Sequence, residues 1–469
     1  MKTIKLILAI ALPLLILFIP VEAFPIDGLT LIEKRIIALF VFAALFWVLE
    51  PIPIYATSVL IIVLELIMVS DKGMVLFRDP SNGNLGELIS YKQIMGTFSS
   101  PIILLFLGGF FLAMASTKYR LDHNLARVML KPFGRKPNMV MLGIMIITAI
   151  FSMFMSNTAT TAMMLSILAP VLTVFKDNDR GKIAFALAIP VAANIGGIGT
   201  PIGTPPNAIA LKYLTGDNTI SFGEWMTFGI PFVIVLLTIA WFLLSILFKS
   251  DTDSIELTIT GKFVKTRKAI IVYITFGITI LLWLTDFIHG MNSYVIAMIP
   301  VGVFSAFNII TKEDLKKISW DVLWLVSGGI ALGLGLDKSG LALHVVESIP
   351  FGNFSPVVIL VSCSLLTLAM ANFMSHTATA NLLMPIFAAL GVSVASLTDM
   401  GGIGTLILVS AFAASLGMSL PISTPPNALA HSTGFVNTND MAKVGVILGI
   451  IGVALSFVLI YILRLVNFL

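Results

Sequence analysis

GTPPNAIA at 203–210 and STPPNALA at 423–430 are one motif written twice, 220 residues apart. Each sits inside a long apolar stretch. Its two consecutive prolines, Pro205-Pro206 and Pro425-Pro426, remove backbone donors and force an extended dipeptide, so a helix has to stop before them and restart at them. Two further strings keep the spacing. SNTAT at 156–160 returns as SHTAT at 375–379, offset by 219, and Gly108-Gly109 returns as Gly328-Gly329, offset by 220. Three anchors in one order with one offset mark an internal duplication. The polar tripeptides Ser156-Asn157-Thr158 and Ser375-His376-Thr377 interrupt apolar blocks at 138–174 and 356–392. With Pro170 or Pro385 in the second arm, each block reads as helix, tight polar tip, helix.

Working outward from these breaks, composition says what surrounds them. The chain has 469 residues, of which 58% are apolar and 11% charged, and its mean hydropathy is +1.03. A soluble surface needs roughly 25% charged residues, so most of this surface faces lipid. The net charge of +4 comes from loop lysines and arginines and is not a nucleic-acid footprint. Cys363 is the single cysteine, which rules out an intrachain disulfide. Lys2, Lys5 and the apolar run ending at Val21-Glu22-Ala23 have the look of a signal peptide, but the further spans behind it favour a retained first helix.

Runs long enough to cross a bilayer, about 20 residues, lie near 5–23, 34–50, 53–70, 97–117, 224–248, 268–287, 292–310, 319–337 and 441–468. Two interrupted spans join them, 183–213 and 402–433. The fold expected is therefore an all-α polytopic membrane protein. With a cytoplasmic N-terminus, twenty of the 28 Lys and Arg fall on the cytoplasmic side, in 2–5, 118–136, 176–182, 249–268, 312–317 and at Lys443. That places the C-terminus outside by the positive-inside rule. Charge cannot separate re-entrant hairpins from double spans, because parity is the same. The repeat argues for hairpins: an odd number of crossings separates the glycine-pair helices, so the halves are inverted, a recurring architecture of secondary transporters.

Backbone irregularity at membrane depth is costly unless it lines a protein-enclosed, hydrated cavity. Freed carbonyls there can coordinate a cation, and a restarting helix offers N–H groups and a positive dipole end to an anion. The motifs hold Ser, Asn, Thr, Gly and Pro but no Lys, Arg, Asp or Glu. An anion would be held by hydroxyls, amides and helix ends, and a co-bound Na+ would lower the cost of placing a dianion in a low-dielectric site. One such motif alone would read as interhelical glue. Two, duplicated in register in inverted halves, read as a transport site.

SNTATTAMM, GTPPNAIA, STPPNALA and the early stretch Trp47-Val48-Leu49-Glu50-Pro51-Ile52-Pro53 resemble the divalent anion–sodium symporter family, bacterial relatives of the mammalian sodium–carboxylate and sodium–sulfate cotransporters. The resemblance covers essentially the whole chain. It implies a homodimer in the bacterial inner membrane, with eleven spanning helices and two hairpins per protomer and a transport domain that moves as an elevator against a scaffold. Residues 1–117 would be mainly scaffold, 118–137 a cytoplasmic interfacial helix and 138–213 the first hairpin and broken helix. Residues 214–337 would be scaffold helices and the start of the second repeat, 338–433 the second hairpin and broken helix, and 434–469 the last helix. The resemblance also implies that a small dianion, a C4-dicarboxylate such as succinate, fumarate or malate, is held by Ser156, Asn157, Thr158, Thr204, Pro205, Ser375, His376, Thr377, Thr424 and Pro425. A first sodium would use Ser152, Ser156, Asn157 and Gly203. A second would use Ala371, His376 and Ser423, largely through carbonyls.

His376 departs from the family's Ser-Asn-Thr tip. A neutral imidazole can replace the Asn amide, or a protonated one can supply the charge of a second sodium and make transport pH-dependent or exchange-only. Citrate and sulfate stay open as substrates, as does a sodium-independent exchanger or proton-linked carrier. A channel would show a continuous polar stripe, and an enzyme would need a nucleophile with a base or a metal cluster; neither pattern is present. Lys118–Lys136, with Leu121, Leu125, Val128 and Met129 at helical spacing, reads as an interfacial helix contacting lipid or a second protomer. Glu50 reads as a cap or hinge contact. Asp286, Asp321, Asp337 and Lys338 sit near span ends and need no function, and Arg464 snorkels.

Overall fold

A computed structural model describes residues 2–79, 84–172, 175–176, 178–255, 262–348, 351, 354–466 and 468. Among them there is no strand beyond one isolated bridge, Ser70 to Ile89. The helices Lys2–Phe18, Leu31–Leu49, Ile54–Met68 and Pro101–Lys118 open the first half. Phe222–Leu247, Arg267–Leu284, Ser293–Ala306 and Trp320–Lys338 open the second, and Thr438–Leu465 closes the chain. Seven helices among the described residues are long and apolar enough to cross a membrane, and five shorter apolar helices accompany them. Local chemistry sets several boundaries: Thr30 with Glu33 and Ser221 with Glu224 form reciprocal capping boxes. Glu50 ends its helix in the left-handed region, at φ 48°, which makes it a C-terminal cap.

Both interrupted blocks are helical hairpins. Pro137–Phe154 turns at Met155-Ser156 into Asn157–Leu172, and Pro356–Phe373 turns at Met374-Ser375 into His376–Ser393. The tip serine caps each second arm: Ser156 Oγ accepts from Ala159 N at 3.2 Å and Ser375 Oγ from Ala378 N at 3.2 Å. The paired prolines behave as the sequence dictates. Gly181–Gly197 stops, and Pro205–Tyr213 restarts with Pro205 in its first turn; Gly402–Ser415 and Pro425–Ser432 repeat the pattern.

The expected interfacial segment forms the helix Leu121–Leu130. Its counterpart in the second half is Leu341–Ser348, a helix of only 8 residues set off from the preceding span by Gly340 at φ 82° and carrying no lysine. The halves interlock. A Cβ at Gly108 would stand 2.2 Å from Ala297 O, and one at Gly328 would stand 2.4 Å from Ser58 Cβ. Each glycine-pair helix thus crosses the third helix of the other half at a distance only glycine permits. The hairpins pack on the broken helices in the same manner, with Gly196 against the Ala149 backbone and Gly417 against Ala371. Both tips are therefore held at the breaks.

Candidate functional site

The breaks are braced from within. Asn207 Nδ2 donates to the carbonyls of Gly197 and Ile198 at 3.1 Å and of Thr200 at 2.9 Å. Asn427 Nδ2 donates to Met418 O at 2.7 Å and Leu420 O at 3.0 Å, the same carbonyls one repeat later. Each TPPN asparagine thus satisfies the acceptors that the interrupted helix leaves behind, as buried polar groups require. Their role shows only in the folded chain, because local sequence does not say which carbonyls a break leaves behind. Thr200 Oγ1 donates to Met153 O and accepts from Gly203 N at 3.1 Å, tying the first break to the first hairpin. Asn194 Nδ2 reaches across to the second half, to Thr424 Oγ1 at 3.3 Å and Asn427 Oδ1 at 3.2 Å.

Between the tips and the breaks lies one cavity of about 560 Å³. Ser156, Asn157, Thr158, Thr204, Pro205, Ser375, His376, Thr377, Thr424 and Pro425 all line it. Gly203 and Ser423 line it too, whereas Ser152 and Ala371 are fully buried just behind the tips. The opposite wall belongs to helices outside the hairpins: Ile54, Tyr55, Phe106, Phe110, Val322 and Leu325. Asp321, to which the sequence reading gave no function, lies exposed at this wall. Among the described residues it is the one acidic group of the lining, which contains no Lys or Arg.

Four helix N-termini meet here, at Asn157, His376, Pro205 and Pro425. They are not equivalent donors. The proline-led halves do not offer the N–H groups expected of a restarting helix. Prolines fill the first two positions of each, and Asn207 N and Asn427 N are bonded to Thr204 O and Thr424 Oγ1, both at 3.2 Å. These two ends contribute dipole alone. Among the described residues, the N–H groups left without a helical carbonyl are those that open the hairpin arms, at Asn157, Thr158, His376 and Thr377.

The first tip gathers oxygens. Ser152 Oγ lies 2.5 Å from Asn157 Oδ1 and 2.7 Å from Ala193 O, one hydroxyl between two acceptors. A Cβ at Gly197 would stand 2.8 Å from Asn157 Oδ1 and 3.0 Å from Gly203 O, so those oxygens flank a bare glycine. The second tip differs. His376 Nε2 lies 2.8 Å from Gly417 O, a buried contact in which the ring nitrogen donates. Ser423 Oγ donates to Asn372 O at 2.8 Å, and Asn372 Oδ1 accepts from Ser419 N at 2.8 Å. Outside the membrane, Asp314 is buried beside the end of Pro101–Lys118. Burial would raise its pKa, but the Lys118 ammonium and the N–H and hydroxyl of Thr311 outweigh that and hold it at about 2.

Comparison with known proteins agrees with this architecture. Residues 1–466 match the family described as sodium:sulfate symporter transmembrane region. The sodium-dependent dicarboxylate transporter SdcS of Staphylococcus saprophyticus is 31% identical over 91% of this chain and 85% of its own length. A Staphylococcus aureus SdcS is 32% identical over 96% of this chain and 88% of its own. In fold alone, the YdaH transporter of Alcanivorax borkumensis is similar, with a TM-score of 0.55 at 14% identity, covering 88% of this chain and 98% of that one. A family match spanning nearly the whole chain, on a helical scaffold whose breaks converge on one cavity, makes this a multi-pass membrane transporter and a member of the sodium:sulfate symporter family, the divalent anion–sodium symporters whose duplicated motifs it carries.

Proposed function

We propose that the chain imports C4-dicarboxylates coupled to Na+, as an elevator-type homodimer in the bacterial inner membrane with its N-terminus cytoplasmic and its C-terminus outside. The observation that carries this reading is the convergence of both hairpin tips and both helix breaks on a cavity whose lining holds no cation. A dianion there is held by the N–H groups of Asn157, Thr158, His376 and Thr377, by the hydroxyls of Thr158, Thr204 and Thr377, and by four positive helix ends. Such groups spread their partial charge over a site that a single lysine would not match in shape.

Na+ supplies the remaining charge as a co-substrate. Ser152, Asn157, Ala193 O and Gly203 O supply a compact set of hard oxygens suited to a small cation. Because Asn157 belongs both to this set and to the cavity lining, cation and anion binding share a residue, and each favours the other. At the second position the Gly417 carbonyl is already engaged by the His376 ring. We take His376 as a neutral replacement for an amide, leaving the first position as the dominant sodium site. The apolar wall of Ile54, Phe106 and Phe110 faces the methylenes of a dicarboxylate and gives the tetrahedral oxygens of sulfate no partner.

The test is uptake of labelled succinate into proteoliposomes under an inward Na+ gradient, with K+ as control and with citrate and sulfate as competitors. Na+-dependent uptake that unlabelled succinate blocks and sulfate leaves alone is the expected result. Uptake only into succinate-loaded vesicles without Na+ would establish an exchanger instead.

A further inference from the structure

The cavity is not the only polar site inside the helices. Glu65, in Ile54–Met68, is fully buried, and neither carboxylate oxygen has a hydrogen-bond partner among the described residues. It is aimed at the glycine-pair helix Trp320–Lys338, where a Cβ at Gly335 would stand 2.8 Å from its Oε1. Over another notch in the same helix, a Cβ at Gly333 would stand 2.5 Å from the Tyr213 hydroxyl and 2.8 Å from Lys212 Nζ. Lys212 and Tyr213 end the half-helix Pro205–Tyr213, whose first residue lines the cavity. Lys212 Nζ donates to Ile330 O at 3.0 Å and stands 5.0 Å from the centre of the Tyr213 ring. A nine-residue helix thus joins the cavity to one side of Trp320–Lys338, and the Glu65 carboxyl lies against the other.

The other charges around Glu65 are committed elsewhere. On Leu31–Leu49, Arg35 donates to Met68 O at 3.0 Å and Phe77 O at 2.6 Å, Lys34 donates to the carbonyls of Leu17 and Ile19 at 3.1 Å, and Glu33 accepts from Thr30 N at 2.8 Å. On Trp320–Lys338, Asp337 and Lys338 pair with each other at 3.7 Å near the surface. Lys92, on Tyr91–Gly96, is exposed. Lys212 lies on the far side of Trp320–Lys338 from Glu65, and the two form no direct ion pair. An ionised carboxylate with neither oxygen paired is too costly to keep in a membrane-embedded interior, whereas the acid form is not. Intramembrane ionisable groups are rare and mark ion pathways, proton relays or ligand counter-ions.

We propose that Glu65, facing Lys212 and Tyr213 across the glycine-pair helix, is a proton-binding site separate from the anion cavity. Its occupancy controls how freely the half-helix Pro205–Tyr213 moves past Ile54–Met68 and Trp320–Lys338. The step is acid dissociation alone: the proton leaves the Glu65 carboxyl for water or returns to it, and no other covalent bond changes. When the carboxyl is ionised, its negative charge pulls on the Lys212 ammonium through the low-dielectric interior, and the bond to Ile330 O weakens.

Two readouts test this, and only the second rests on the proposed transport function. Difference infrared spectroscopy of the purified full-length protein in lipid should show the carbonyl stretch of a desolvated carboxylic acid, lost in Glu65→Gln. Lys212→Met should change the pH at which that band gives way to a carboxylate band, and it carries the test if Glu65→Gln fails to fold. Succinate uptake at saturating Na+ should vary severalfold between mildly acid and mildly alkaline buffer in the parent and be flat in Glu65→Gln. Absence of the acid band at every pH, its persistence in Glu65→Gln, or an unchanged pH profile in that variant overturns the proposal. If succinate is not carried at all but the band behaves as described, the proton site stands and the substrate assignment falls.

Discussion

In the first half of the molecule Ser152 and Asn157 place two side-chain oxygens beside the Ala193 carbonyl; in the second half their counterparts are Ala371 and His376, and a ring nitrogen meets the Gly417 carbonyl. The same contrast recurs around the tips. Gly109 faces the cavity with only Ile202 near it, at 3.7 Å from an added Cβ, whereas Gly329 is filled by Asn381, 1.8 Å from the corresponding point. Thr424 Oγ1 caps its half-helix, whereas Thr204 makes no such bond. What the halves share is backbone: serine-capped tips, proline restarts and an asparagine brace. What they do not share is the chemistry those frames present. Duplication has preserved the architecture that stops a helix inside a membrane and let the two sites diverge, with the first more open and richer in oxygen.

That comparison can be broken at several points. The largest effect is expected at the glycines. Gly329→Ala should lose most folded protein, because overpacking onto Asn381 costs about 3 kcal/mol or more, while Gly109→Ala should unfold within about 1 kcal/mol of the parent; thermal unfolding in detergent measures both. Next, Asn157→Ala should cut succinate uptake at least about tenfold by removing a group that serves both ions, whereas His376→Ala, which removes a satisfied contact, should cost less. Equal losses would show that the halves work alike. Asn207→Ala should destabilise by about 2 kcal/mol through three orphaned carbonyls, and Asn427→Ala, with two, by somewhat less.

Two smaller effects sharpen the picture. His376→Asn restores an oxygen at the second tip, so uptake should depend more steeply on Na+ while its maximal rate changes little. Asp314 gives the pH prediction. Its pKa in the folded chain is about 2, below the ordinary carboxylate value near 3.9. Its contribution is therefore present above about pH 4 and fades as pH falls toward about pH 2. Asp314→Asn should remove about 1–2 kcal/mol at neutral pH and abolish that acid-dependent part.

Much of this was legible because helix-breaking is a local event. Proline pairs, a polar tripeptide in an apolar block and a fixed offset announce a break wherever they occur, and the inverted halves follow from counting crossings. The ten residues expected to hold the anion do share one cavity, since all of them sit at breaks. What was illegible depends on who faces whom. Phe106 and Phe110 in the sequence look like any lipid-facing pair, and only packing makes them a cavity wall. The helix Leu341–Ser348 lacks the lysines that flagged its counterpart. Asn194 bridges to the other half, a contact 230 residues away that no local pattern encodes. Glu65, buried in the third helix, gave no signal in a span read only for hydropathy.

The central claim is that one cavity binds a dicarboxylate and that sodium at the first tip completes it. Thermal unfolding of the purified protein with and without succinate, in NaCl and in KCl, tests this most directly, since a ligand stabilises the state that binds it. We predict that succinate raises the midpoint in Na+ but not in K+, and that Asn157→Ala abolishes the shift. An equal shift in K+, or one that survives in Asn157→Ala, would contradict it.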